Sequence, residues 1–203
     1  MKIIGITGGI GGGKSSILNF ISSHYISEIY YADEIARELE LPGTIVYDRL
    51  VSIFGEDILE NDPDRAIDKK KFAQVLYSDK ANLDRANMII HPAVENYINE
   101  KMRAAVKMHE TELFFVEAAL LIENGYNDIV DEMWYIYADD ETRIRRLMED
   151  RGYSREKAIS IMESQLSDKD FRDNSDVIID NNGDLKTACD QVKARLEGFT
   201  WVD

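Results

Sequence analysis

Residues 8–15 read Gly-Gly-Ile-Gly-Gly-Gly-Lys-Ser, directly behind the apolar stretch Lys2-Ile3-Ile4-Gly5-Ile6-Thr7. The spacing is G-x-x-x-x-G-K-[ST], with Gly8, Gly13, Lys14 and Ser15 in the defining places. Ile3, Ile4 and Ile6 are β-branched and suit a buried parallel strand. Ile17, Leu18, Phe20 and Ile21 behind the motif suit a largely buried helix. A strand that enters a glycine-rich turn and leaves as a helix can turn backbone N–H groups toward one anion. The backbone of Gly9, Ile10, Gly11, Gly12 and Gly13 and the Lys14-Ser15-Ser16 start of the helix are the expected cradle. The helix adds the positive end of its dipole. Lys14 reaches terminal phosphates, and the Ser15 hydroxyl suits a magnesium ion. The expected ligand is a nucleoside triphosphate. A flexible turn is the alternative, and the strand and helix on either side argue against it.

The chain has 203 residues, enough for one α/β domain carrying an additional piece. Its one cysteine, Cys189, excludes an internal disulfide and is expected as a packed thiol in a late helix. The first strand follows Met1 at once, so no signal peptide is expected. No apolar stretch approaches the ~20 residues of a membrane span. A soluble, cytoplasmic protein in a reducing compartment is the expectation. The formal net charge of −15 argues against nucleic acid as a partner. It also requires that cations for an anionic nucleotide be concentrated locally. Lys14, Arg37 and the cluster Arg143, Arg145, Arg146, Arg151 and Arg155 are the candidates.

Strand-like runs recur at Ile3–Thr7, Ile29–Ala32, Leu113–Glu117, Glu132–Ala138 and Asp176–Asp180, with helical patterns between them. That alternation predicts a parallel sheet with crossover helices. Glu34 to Met108 breaks the rhythm with helical pieces at Glu34–Leu41, Val46–Phe54, Lys69–Leu76, Lys80–Ile89 and Ala93–Met108. The interval reads as a helical insertion without a strand. Pro92 is expected in the first turn of the last piece, with His91 as its cap. Asp139 or Asp140 should cap a charged helix through Asp150. Gly152 should supply its left-handed end, and Ser154 should restart a helix toward Gln165. This charged pair suits either a mobile lid or a solvated helix hairpin.

Asp33 follows the second strand-like run. A carboxylate there can accept a hydroxyl proton during phosphoryl transfer, or can cap the helix expected from Glu34. The residues alone favour the cap. Glu117 ends the central run Leu113-Phe114-Phe115-Val116 and is placed to orient magnesium. Glu123 reads as a surface acid beside Asn124-Gly125. No Cys/His zinc spacing and no aspartate-rich cage is present.

Taken together the residues resemble the dephospho-CoA kinase family over most of the chain. The matching pieces are Gly5 to Ser15, Ala32-Asp33-Glu34-Ile35-Ala36-Arg37-Glu38-Leu39, Ile90-His91-Pro92, Leu120-Leu121-Ile122-Glu123, Gln165, and Asp176 to Gly183. The resemblance implies transfer of the ATP γ-phosphate to the 3′-hydroxyl of the dephospho-CoA ribose, giving CoA and ADP. It implies Asp33 as the base, which reverses the reading from the residues alone. It assigns Lys14 and Ser15 to ATP and magnesium, Glu117 to the metal and the substrate side, Arg37 and His91 to the acceptor, and Asn181 to the ATP base.

Three positions differ from the family pattern. Glu117-Ala118-Ala119 stands where Asp-x-Pro is usual, Ile67-Asp68-Lys69 where Leu-Asp-Arg is frequent, and Asp150-Arg151 where the order is usually reversed. Arg146 and Arg151 both remain candidates for the transition-state cation. Arg146 is favoured because it lies one turn from Arg143. The expected fold is a parallel-sheet α/β phosphate-loop fold with a helical substrate-binding insertion and a helical lid. Its core spans 1–33, 109–138 and 168–203, its insertion 34–108 and its lid 139–167. A kinase of another small metabolite is the nearest rival. A GTP-hydrolysing switch is a rival of another class, and the chain lacks an Asn-Lys-x-Asp guanine motif.

Overall fold

A computed structural model describes residues 1–108, 111–118, 121–123 and 125–199. Their contacts divide the chain into two compact units, Met1–Tyr30 with Met108–Asp203, and Tyr31–Lys107.

The first unit is built on five strands: β1 (Lys2–Thr7), β2 (Ser27–Tyr31), β3 (Leu113–Glu117), β4 (Glu132–Tyr137) and β5 (Val177–Asp180). Their order across the sheet is β2-β3-β1-β4-β5. β1 lies parallel to β3 on one side and to β4 on the other, and β4 lies parallel to β5. Ile4, Ile6, Phe114, Phe115, Trp134 and Ile136 are all fully buried. The central strands therefore read as continuous apolar runs, as expected of a sheet covered on both faces. The register sets Ile6 opposite Glu117 on one side and Trp134 on the other.

Helix α1 (Lys14–His24) buries Ile17, Leu18 and Ile21, while α9 (Leu185–Glu197) buries Ala188, Cys189, Val192 and Leu196. Burial pushes the Cys189 thiol above its usual range. Glu132 sits at the start of β4, mostly buried. It accepts from Trp134 Nε1 at 2.8 Å and from the Arg195 guanidinium, so the buried carboxylate is paired.

The second unit is helical: α2 (Ala32–Leu39), α3 (Ile45–Phe54), α4 (Lys69–Ser78) and α5 (Lys80–Met108), with a short 3₁₀ turn at Glu56–Ile58. Val46, Leu50, Ile58, Leu59, Phe72 and Ala86 form its core, with Phe54 edge-on to Phe72 at 5.5 Å. Thr44 caps α3 by accepting from Tyr47 N, and Asp68 caps α4 by accepting from Lys70 N and Lys71 N. Those backbone donors hold the Asp68 carboxyl below its usual range. An isolated antiparallel bridge, Leu59 to Ile67, is the extended pairing found here among the described residues.

Two expectations fail in this unit. The interval 80–108 is one helix of 29 residues with Pro92 inside it. Pro92 therefore does not open a helix, and His91 does not cap one. Proline removes one helical donor at a cost of about 3 kcal/mol. Ala86, Ile89, Ile90 and Ala93 all pack on the unit's core, and that burial carries the helix through. Asp33 also does not cap α2. The helix begins at Ala32, two residues before the expected Glu34, its N-cap position is Tyr31, and no side chain caps it.

Candidate active site

The phosphate loop begins where β1 ends. Lys14 Nζ donates to Gly8 O at 2.8 Å and lies 3.5 Å from the Glu117 carboxylate at the end of β3. The β1–β3 register accounts for this, because Glu117 aligns with Ile6, two residues before Gly8. Gly13, φ 92°, occupies the N-cap position of α1. Gly11 has φ 78°, and a Cβ there would lie 2.9 Å from Arg143 O. Both positions favour glycine for its freedom at positive φ. Ser15 and Ser16 are exposed at the start of α1.

The outer side of the loop is held by α6 (Asp140–Arg151), α7 (Arg155–Glu163) and the turn after β5. Asp139 caps α6 by accepting from Thr142 N at 2.8 Å, Gly152 ends it at φ 63°, and Ser154 caps α7. Arg143, 8% exposed, donates from Nε to Ile10 O at 2.9 Å. Arg146 donates from Nη1 to Gly11 O and Gly12 O, each at 3.3 Å, and from Nη2 to Asn181 O at 2.7 Å. Asn181 Nδ2 donates to Gly12 O at 2.8 Å. Three successive carbonyls, of Ile10, Gly11 and Gly12, are therefore claimed from outside.

In a trans peptide the C=O and N–H point opposite ways. Fixing Ile10 O and Gly12 O outward turns the N–H groups of Gly11 and Gly13 the other way. Neither N–H has an acceptor among the described residues. Gly12 N instead closes the turn on Gly9 O at 3.1 Å. Two aligned free donors at a helix N-terminus, with an ammonium beside them, make a seat for phosphate oxygens. Thr7 Oγ1, at the end of β1, is buried without a hydrogen-bond partner among the described residues.

The arginine cluster divides. Arg143 and Arg146 share one face, and that face grips the loop. Arg145 pairs with Glu149 at 3.3 Å and Arg155 with Glu141 at 2.9 Å, both on the surface. These two guanidinium groups are engaged in solvated ion pairs. Arg151 is exposed in the last turn of α6. Asn181 is 3% exposed and braces the loop with its amide.

In the helical unit, Asp33 is exposed in the first turn of α2 and Arg37 in its last. Arg37 lines a cavity of about 630 Å³ with Glu40, Glu60, Asp68, Lys69 and Lys70. Burial raises the Glu40 pKa there. A second cavity, about 350 Å³, is mainly apolar and is lined by Leu39, Ile45, Val46, Met88 and Pro92 among others. His91 is half-buried in α5 and lines neither cavity. Burial alone lowers its pKa. Glu123 is exposed, while Leu120 of the quoted Leu-Leu-Ile-Glu piece lies outside the described residues.

Gln165 acquires a role that its sequence position did not suggest. Its Oε1 accepts from Ile10 N at 2.9 Å and from Arg143 Nη2 at 3.0 Å. No periodicity marks such a residue, because both partners are distant in sequence.

A family model described as dephospho-CoA kinase matches residues 2–187. A dephospho-CoA kinase of Geobacter sulfurreducens is 38% identical over 183 residues, covering 90% of this chain and 91% of that one. The dephospho-CoA kinase structure from Campylobacter jejuni superposes with a TM-score of 0.70 at 25% identity, covering 96% of each chain. The crystal structure of TT1252 from Thermus thermophilus superposes with a TM-score of 0.80 at 27% identity, covering 98% of each.

Proposed function

The chain belongs to the dephospho-CoA kinase family, and from that premise we propose how its residues carry out the reaction. The protein is an ATP-dependent kinase that phosphorylates dephospho-CoA in CoA biosynthesis. We place the transferred group on the 3′-hydroxyl of the ribose. The observation that carries the reading is the phosphate loop, with carbonyls bound from outside and the Gly11 and Gly13 N–H groups left for an anion.

ATP is read as binding with its β- and γ-phosphates on those donors and on Lys14. The acceptor hydroxyl oxygen attacks the γ-phosphorus, the bond from that phosphorus to the β-bridging oxygen breaks, and ADP leaves. Asp33 is assigned to take the hydroxyl proton, its exposed carboxylate being uncommitted to capping. Arg37 and His91 are assigned to the acceptor within the helical unit, and residues 139–167 to a lid. Arg146 is held on loop carbonyls, so its charge stays beside the phosphates. Arg151 is the exposed arginine of α6 that remains able to reach a substrate. These two keep the competing roles of transition-state cation.

Magnesium takes one or two protein oxygens together with phosphates and water. Ser15 and Glu117 fit that modest demand, and no cluster of three or more acidic, His or Cys ligands exists among the described residues. When bound there, the ion would neutralise phosphate charge. No described helix is long and apolar enough to cross a membrane. A cytoplasmic setting suits the lone, buried Cys189.

The test is product analysis with purified protein, ATP and a panel of acceptors. CoA and ADP should form in equal amounts from dephospho-CoA. Turnover of shikimate or a nucleoside monophosphate, with none of dephospho-CoA, would overturn the assignment.

A further inference from the structure

We propose that Gln165 is a positioning residue for ATP, acting through the phosphate loop. The inference rests on the reading of residues 8–15 as the ATP site. Oε1 of Gln165 receives the Ile10 N–H and the Arg143 guanidinium. Both partners can only donate, so the amide oxygen must face them. Arg143 in turn donates to Ile10 O. Gln165, Arg143 and the two peptide groups flanking Ile10 form a closed ring of three hydrogen bonds.

The ring fixes two successive peptide planes. The Gly9–Ile10 plane presents its N–H outward to Gln165, and the Ile10–Gly11 plane presents its carbonyl outward to Arg143. The second constraint turns the Gly11 N–H inward, where a phosphate oxygen can use it. Gln165 is therefore one step removed from the nucleotide and sets the orientation of a group that touches it.

The ring is itself anchored. Gln165 donates its own N–H to Met162 O at 3.1 Å at the end of α7. Two residues later Ser167 opens α8 (Asp168–Asp173) with a reciprocal capping box to Asp170. The amide thus stands between two fixed helix ends. The Ile10 side chain packs against Ile144, Leu147 and Ala158 of α6 and α7. Ile10 is held by its N–H, its carbonyl and its side chain, from Gln165 and from the α6–α7 pair. A loop so held pays little ordering cost when ATP binds.

The test compares Gln165→Leu with Gln165→Glu in the full chain. Leucine keeps the volume and removes the acceptor. Glutamate keeps an acceptor oxygen for both donors and strengthens the contact with Arg143. ADP affinity by calorimetry should fall about tenfold or more in the leucine variant, the scale of one or two lost hydrogen bonds. The KM for ATP should rise by a similar factor, with the KM for dephospho-CoA unchanged. The glutamate variant should recover to within about threefold of the parent. Parental ADP affinity in the leucine variant, or equal impairment in both, would overturn the proposal. Should the leucine variant not fold, Gln165→Asn, which withdraws the amide by one methylene, is measured the same way, and parental affinity there would overturn it. Lys14→Ala run in parallel separates the two levels. If it leaves ADP binding intact, the reading of the loop itself fails. If it abolishes binding while Gln165→Leu does not, only the Gln165 role fails.

Discussion

Arg143→Met isolates the contribution of the outer brace. Methionine keeps much of the buried stem volume and removes every donor. The lost bonds are Nε to Ile10 O at 2.9 Å and Nη2 to Gln165 Oε1 at 3.0 Å, with a 3.5 Å contact to the exposed Asp140. A hydrogen bond from a charged group contributes about 1.5–3 kcal/mol, so the two good ones set an upper bound of about 3–6 kcal/mol. The Asp140 contact adds at most about 1 kcal/mol at an exposed partner. Two effects reduce the total. Gln165 Oε1 keeps its bond from Ile10 N, and removing a mostly buried cation relieves its desolvation. The expected loss is about 2–4 kcal/mol. At about 2–4 °C per kcal/mol for a chain of this size, the melting temperature should fall by roughly 4–16 °C. Nucleotide affinity should fall as well, because Ile10 O no longer fixes the Gly11 N–H. Arg143→Lys should recover part of both, since one ammonium cannot reproduce the fork. Calorimetric melts with and without ADP read the two effects on one sample. A methionine variant that melts within about 1 °C of the parent and binds ADP equally would refute the reasoning.

Asp33→Asn should lower turnover by about 10²–10⁴ while ADP affinity persists. Stability should change by no more than about 1 kcal/mol, the value of one charge near a helix start, and turnover at the parental rate would remove Asp33 as the base. Thr7→Val replaces a buried hydroxyl without a partner among the described residues by a near-isosteric methyl. It should raise stability by about 1 kcal/mol, or the melting temperature by about 2–4 °C, and a drop would show that the hydroxyl is satisfied. His91, whose pKa burial lowers, binds its proton more weakly folded than unfolded. Its contribution to stability is present at neutral pH and is lost as pH falls below the unfolded value of about 6.5. His91→Gln should therefore flatten the stability–pH curve on that acid side, and an unchanged slope in denaturant titrations would contradict the assignment.

The strands were legible because each is a short apolar run bounded by turn residues, and β3 was read to the residue. The caps at Asp139 and Ser154 and the left-handed Gly152 were equally legible, since each satisfies a local backbone need. Pro92 misled because the proline rule is local, whereas α5 is held by core contacts made on both sides of the proline. Asp33 misled because capping depends on the first helical residue, and α2 starts one position before it. The arginines were legible as a cluster and illegible as individuals. Whether a guanidinium meets a loop carbonyl or a neighbouring glutamate depends on which helix face looks inward. Gln165 carried no local signal at all, since its partners lie 155 and 22 residues away.

The charge puzzle resolves at the same loop. A chain with a net charge of −15 binds an anion without a broad basic surface. Two of the five clustered arginines are neutralised by Glu149 and Glu141. Two more point their charge at backbone carbonyls rather than at solvent. The contacts on Ile10 O and Gly12 O polarise peptides whose far ends, the Gly11 and Gly13 N–H groups, are turned to the phosphate seat. Positive character is thus delivered through oriented peptide dipoles, which solvent ions screen less than exposed side chains. Binding to a basic patch would weaken steeply with salt. Binding built on fixed N–H groups should depend on salt only weakly, apart from the contribution of Lys14. An ADP affinity that fell steeply between about 50 and 300 mM salt, across which the Debye length shortens about twofold, would instead place the attraction on exposed cations such as Arg151.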